Sequence, residues 1–272
     1  MHELIIEAGR TERQYWKDLW RYRELFYFLA WRDLLIRYKQ TVVGVTWAVI
    51  RPFLTMVVLT IVFGRLADMP SGGVPYPLLV LCGMLPWQFF STAVSECGRS
   101  LVTNSSLISK VYFPRMTVPA SSVITSLVDL VLSAGLLVLL MAWYQYVPGP
   151  RVVLLPLFVL MTFPAAFGFG VWVSALMVKY RDFRFVVPFV VQFGLYVSPV
   201  GFTSEVVPEP WRLLYSLNPM VAAIDGFRWA VLGGNAALYW PGFLLSLVVV
   251  VALLGTGIRY FRRTERTFAD VI

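Results

Sequence analysis

The chain has 272 residues, 58% hydrophobic and only 14% charged, where a soluble domain carries about a quarter charged residues. Its formal net charge is +8, with two cysteines and one histidine. This balance excludes a water-soluble globular domain, and Cys82 and Cys97 fall about 15 residues apart on one expected helix, too far to bridge. An all-α integral membrane protein is expected.

Residues 1–41 form a charged, aromatic cytosolic or interfacial segment without the apolar core of a cleavable signal peptide. Tyr22, Leu25, Phe26 and Leu29 share one helical face, while Arg21, Arg23, Arg32, Arg37 and Lys39 supply cations. Asp33 falls near the apolar face, and Phe28 and Trp31 fall off it. A basic, aromatic helix just before a span reads as lying in the membrane interface; an ordinary cytosolic helix is the alternative.

From residue 42 to 272 the chain reads as one transmembrane domain of six spans: 42–66, 76–94, 118–146, 152–178, 185–202 and 239–260. Each approaches the roughly 20 apolar residues that a spanning helix needs, the fifth being the shortest. Pro86, Pro156, Pro164, Pro188 and Pro199 interrupt these runs, as membrane helices tolerate when neighbours satisfy the freed carbonyls. Ala166, Gly170 and Ser174 stand four apart, a small-residue stripe that admits a second helix closely.

The connection 100–119 is longer than a mere turn requires. Asn104, Ser105 and Ser106 are good helix-starting residues, Leu107, Ile108, Val111 and Tyr112 come next at helical spacing, and Pro114 stops the turn. With Lys110 and Arg115 at its edges, it reads as a short docking helix outside the bilayer, or else as a solvated loop. In the connection 203–238, Asn218 and Pro219 start a helix that Gly233 and Gly234 end. About 14 residues cannot cross a bilayer, so a re-entrant or interfacial helix is expected, with a surface cap as the alternative. Asp225 and Arg228, three apart, are expected to neutralise one another.

Cytoplasmic termini place 18 cations inside and leave Arg65, Arg151, Arg212 and Arg228 outside, with Arg51 within the first span. Arg51 and Asp129 are the plainly ionisable intramembrane residues, expected to pair at similar depth, and Glu96 lies at the inner end of the second span. No phosphate-cradling Gly-x-x-x-x-Gly-Lys loop, nucleophile elbow or His/Cys cluster is present, so an enzyme reading lacks its residues. A membrane path with a docking helix and no nucleotide site implies a transporter subunit with a separate engine.

The blocks WRDLLIRYKQTVVGVTWAVIRPF (31–53), GMLPWQFF (83–90), NSSLISKVYFPR (104–115), YRDF (180–183), YVSPV (196–200) and LNPMVAAIDGFRWAVLG (217–233) resemble the ABC-2 type polysaccharide export permeases. The resemblance implies a type V exporter-like fold, a homodimer, and two copies of a separate ATPase subunit that carry ATP and Mg, with no cofactor on this chain and no nucleic-acid partner. It implies a bacterial inner-membrane location and export of undecaprenyl diphosphate-linked polysaccharide, O-antigen first, with capsule or teichoic acid polymers as alternatives. By position, Asn104, Leu107, Ile108, Lys110, Val111, Tyr112 and Arg115 match the family's coupling helix. Tyr22, Phe26, Arg32, Asp33 and Arg37 match its interfacial gate helix, and Asn218, Pro219, Asp225 and Arg228 its periplasmic gate. Arg51 departs from the neutral glutamine that the family more often carries there. Sugars lie with their CH faces on aromatic rings, and a conducting path needs contacts that are easy to leave; Trp87, Phe90, Phe193 and Tyr196 are the lining candidates. A permease for a small hydrophobic drug and a membrane-embedded glycosyl ligase are the rivals.

A cysteine introduced at Ser71 or Ser204 is expected to react with an impermeant reagent added outside intact cells, and one at Ser105 is not. Labelling at Ser105 would overturn the orientation.

Overall fold

The computed structural model describes residues 12–39, 42–233 and 238–268; residues 1–11, 40–41, 234–237 and 269–272 lie outside the described residues. Among the described residues every regular element is helical. In chain order they are α1 (Glu12–Arg21), α2 (Arg23–Tyr38), α3 (Val42–Leu59), which runs into a π-helical stretch (Thr60–Leu66), α4 (Tyr76–Thr103), α5 (Ser105–Lys110), α6 (Thr117–Trp143) and α7 (Leu155–Lys179). They continue with α8 (Phe183–Val197), α9 (Glu209–Tyr215), α10 (Pro219–Val231) and α11 (Trp240–Thr264).

Helix α4 is the hub. It packs against α7, α6 and α10, and its residues from Leu78 to Trp87 are all buried. Close approach explains where the small residues fall. A Cβ on Gly170 would stand 2.8 Å from Cys97 Sγ of α4, so Ala166, Gly170 and Ser174, all buried, form the seam with that helix. On the opposite flank of α7, a Cβ on Gly257 of α11 would collide with the Gly168 carbonyl oxygen. One helix is thereby clasped on both sides at near-backbone distance, the packing that membrane helices use where burial from water supplies no drive.

Among the described residues, five stretches are long and apolar enough to cross a membrane: Thr46–Leu66, Tyr76–Thr103, Thr117–Trp143, Pro150–Lys179 and Trp240–Thr264. The second is longer than the expected 76–94. Its 28 residues reach about 42 Å at 1.5 Å per residue, well beyond a hydrocarbon core of about 30 Å. The fifth expected span, 185–202, differs the other way. Helix α8 ends at Val197 after 15 residues, about 22 Å. The cause is local: Ser198 precedes Pro199 and adopts an extended conformation (ψ 151°), as the proline ring forces on its predecessor.

The non-helical chain beyond Val197 needs partners for its carbonyls, and side chains supply them. Tyr215 Oη donates to Val197 O (2.7 Å) and Tyr76 Oη to Gly201 O (2.6 Å). Arg228 Nη2 and Nη1 donate to Val200 O (2.8 Å) and Phe202 O (2.7 Å), and its Nε to Leu79 O of α4 (3.2 Å). Gly83 leaves room for that guanidinium, since a Cβ there would come within 2.7 Å of Arg228 Nη2. Asp225 and Arg228 attract one another by charge, as expected, but their hydrogen bonds are made elsewhere: the Arg228 donors go to backbone carbonyls, while Asp225 accepts from the Ser204 hydroxyl. A spacing of three residues on a helix permits the pair, but a planar five-donor head buried beside three open carbonyls is better used there.

Arg228→Met is expected to leave those carbonyls without donors, at about 1–3 kcal/mol for each buried group, and to lower the melting temperature of the purified protein by roughly 6–18 °C. Arg228→Lys is expected to recover only part of this, because one ammonium cannot bridge three carbonyls in a plane. An unchanged melting curve for Arg228→Met would sink the assignment.

Candidate functional site

At the end of the bundle where α4 closes, α2 lies against α6 and borders α4. Leu29 and Ala30 are buried, and Tyr22, Leu25 and Phe26 are partly buried, as the shared apolar face requires. Tyr27, Phe28 and Trp31 are exposed on the other side, with the Tyr27 and Trp31 rings stacked at 6.4 Å. The remaining side of α2 borders a cavity of about 610 Å³ lined by Arg32, Asp33 and Arg37 of α2, Glu96, Arg99 and Asn104 of α4, and Ser122 and Thr125 of α6.

The charges around this cavity are paired. Arg32 forks onto Asp33 Oδ1 through Nε (3.0 Å) and Nη2 (2.7 Å), which answers why an aspartate sits beside an apolar face. Arg37 Nη1 stands 2.5 Å from Asp129 Oδ2 and Nη2 3.3 Å from Glu96 Oε1, and Arg99 reaches the same Glu96 oxygen at 3.1 Å. Tyr38 donates its hydroxyl to Asp129 Oδ1. Burial and that neighbouring carboxylate raise the Tyr38 pKa, so the phenol stays a donor at any physiological pH.

This corrects the expected pairing of Asp129 with Arg51. Arg51 is exposed on α3, and its backbone carbonyl accepts from Thr55 Oγ1 (2.9 Å). Equal depth along two spans does not place two side chains on facing sides. The partner comes from the last turn of α2, which lies directly against α6.

The coupling stretch is also rearranged. Asn104 ends α4 and precedes α5, yet its side chain does not cap α5. Its Nδ2 donates to Ser100 O (2.9 Å), and its Oδ1 accepts from Arg32 Nη2 at 2.7 Å. The apolar face expected across Leu107, Ile108, Val111 and Tyr112 divides in two. Ile108 is buried and Leu107 packs on the core, whereas Val111 is 49% and Tyr112 53% exposed. Val111 is already extended (φ −127°, ψ 132°), so helical spacing no longer governs the residues beyond α5. The exposed tip is thus Lys110, Val111 and Tyr112, while Arg115 turns inward, its backbone N–H on Glu265 Oε1 (2.9 Å).

At the opposite end, Asn218 caps α10 as expected, accepting from Met220 N (3.0 Å) while its Nδ2 donates to Ser198 Oγ (2.9 Å). Pro219 takes the first helical position, and Arg151 lies over the Trp229 ring at 5.0 Å. Burial raises the Asp225 pKa, opposed by the Ser204 hydrogen bond and the Arg228 charge. The four lining candidates do not share a surface. Trp87 is buried beneath Gly194, whose Cβ would meet its ring at 2.5 Å, and Phe90, partly buried, sits 5.7 Å from it. Phe193 and Tyr196 lie on the exposed side of α8, where Phe189 stacks on Phe193 at 6.3 Å.

Tyr38, Tyr76, Tyr215, Ser198 and Glu265 take functional positions that sequence reasoning missed. The one available signal was the proline after Ser198, which announces a helix end whose carbonyls require donors from elsewhere.

Comparison with known proteins places these features in context. A family model described as ABC-2 type transporter matches residues 24–232. The O-antigen export system permease protein RfbA of Myxococcus xanthus is 30% identical over 260 residues, covering 94% of this chain and 98% of that protein. An RfbA of Klebsiella pneumoniae is 24% identical, covering 92% and 95% respectively. The polysialic acid transport protein KpsM of Escherichia coli is 20% identical, covering 86% and 91%.

In a double-mutant cycle, Arg37 and Asp129 are expected to couple by about 0.5–1 kcal/mol, and Arg51 and Asp129 by none. A larger coupling for the Arg51 cycle would restore the Arg51–Asp129 pair.

Proposed function

The chain belongs to the ABC-2 type transporter family, and from that premise we infer that it is the membrane permease of a polysaccharide export system. The observation that carries this is the end-to-end match to an O-antigen permease, 94% of one chain against 98% of the other. The cargo is an O-antigen-type polymer held on a lipid diphosphate and moved from cytoplasm to periplasm. The weaker match to a polysialic acid transporter makes another exported glycan the second reading.

The working unit in this reading is two copies of the permease in the bacterial inner membrane with two ATPase subunits, both termini cytoplasmic. The sixth span is α8 completed by the non-helical residues 198–203. Two features support it: the carbonyls of this stretch are taken up by Arg228, Tyr76 and Tyr215, and irregular backbone at membrane depth is tolerated when its polar groups are satisfied. Helix α10, capped by Asn218 and too short to cross, is the re-entrant outer gate. Helix α2, polar toward the inner cavity and aromatic on its exposed side, is the interfacial gate helix. The uncovered aromatic side of α8, with Phe189, Phe193 and Tyr196, offers ring faces on which sugars slide through many weak contacts.

The tip Lys110–Val111–Tyr112 is the surface that receives the ATPase. Val111→Asp with Tyr112→Asp alters exposed side chains and is expected to leave the membrane level of the protein unchanged. The same change is expected to weaken co-purification with the ATPase encoded in the neighbouring reading frame by at least about tenfold, or 1.4 kcal/mol, and to remove surface polysaccharide. Normal surface polymer in this variant, or in a strain lacking the gene, would overturn the reading.

A further inference from the structure

Helix α5 has six residues, far below the roughly 12–15 at which an isolated helix begins to hold itself together. Its direction is therefore set by what its two ends are tied to. One end is tied through Asn104 to Arg32 of α2. The other continues into the non-helical residues 111–116, and the tie there comes from the far end of the chain.

Glu265, one residue beyond α11, accepts the Arg115 backbone N–H on Oε1 (2.9 Å), and its own carbonyl accepts from Arg115 Nη1. Around this contact three separate segments close up. Tyr15 of α1 brings a buried hydroxyl beside the Glu265 carboxylate, and Arg262 lies 4.7 Å over the Tyr15 ring. Phe268 is buried edge-on against Phe261 at 5.4 Å, and Phe113 and Met116 of the loop are buried in the core beneath. A glutamate near the end of a solvated helix would ordinarily turn to water. Here burial is severe enough to raise its pKa, a cost offset by a backbone donor and two nearby guanidinium groups.

We propose that Glu265 is the positioning residue of the coupling element: the end of α11 clamps residues 111–116 and so sets the orientation in which Val111 and Tyr112 meet the ATPase. This rests on the reading of the chain as an ATPase-driven permease. At Oε1 the carboxyl group accepts the Arg115 N–H, a bond that does not require charge, while the attraction to Arg115 and Arg262 does. Glutamine therefore preserves the bond, and alanine removes it.

The test uses the full-length permease with its ATPase. Glu265→Ala is expected to weaken co-purification and surface polymer by about tenfold or more, with the protein still in the membrane, and Glu265→Gln to stay within about threefold of wild type. A purely structural role for the end of α11 would lower the melting temperature of both variants alike and would not separate them. Hydrogen exchange on the wild-type permease is the second measurement, with the Arg115 amide expected to exchange at least tenfold more slowly than that of Tyr112. It decides the matter if Glu265→Ala fails to accumulate. Equal assembly of Glu265→Ala and wild type, equal loss in both variants, or an unprotected Arg115 amide would overturn the clamp. If wild type itself captures no ATPase, the functional reading fails instead, and exchange alone judges the clamp.

Discussion

The Arg228 guanidinium is the contact on which the α8–α10 end of this molecule depends. The chain between Val197 and Phe202 breaks from helix at a Ser–Pro step and exposes carbonyls where neither helix nor strand can satisfy them. One buried arginine joins two of these to the Leu79 carbonyl of α4, and Tyr76 and Tyr215 take two more. An unsatisfied carbonyl in an apolar surrounding costs several times what a hydrogen bond contributes in water. The placement of α8, α10 and α4 relative to each other comes from that demand, and so does the absence of a side chain at Gly83.

Helix α4 links this lock to the α2 end. Its first residue supplies Tyr76, its buried middle packs α6, α7 and α10, and its last turns supply Glu96 and Arg99 before Asn104 turns the chain into α5. This rod, about 42 Å long and gripped at near-backbone distance by α7, ends at Asn104, the residue that Arg32 of α2 holds.

Much of this was legible in the sequence, for reasons that separate the successes from the failures. Five of the six apolar runs, the Asn218–Pro219 start and the small-residue stripe are local or periodic features, and they appear where spacing puts them. The failures are helix ends and questions of which distant side chain faces which. Asp129 is joined to Arg37 rather than Arg51, 92 residues away in sequence, because depth within a span carries no information about azimuth. Trp87 is an internal packing residue because Gly194 opens a slot for its ring. The coupling face divides because the helix stops at Lys110, so Val111 no longer stands one turn above Leu107 in the sense that spacing implied. Glu265 carried no signal at all, since its partner is a backbone N–H contributed 150 residues earlier.

The two ends of the molecule are held by different physics. The Arg228 lock is made of buried hydrogen bonds to backbone, with Arg228 only 4% exposed. The ties around α2 are ion pairs whose side chains stay between 16% and 61% exposed. Pairs of that kind contribute about 1 kcal/mol or less when solvated and re-form readily with a neighbour, and Glu96 already shares itself between Arg37 and Arg99. In the proposed reading, an ATPase-driven permease needs compliance where force enters and stiffness where leakage must be stopped. The exchangeable carboxylates around α2 and the fixed carbonyl cradle around Arg228 are arranged in that order.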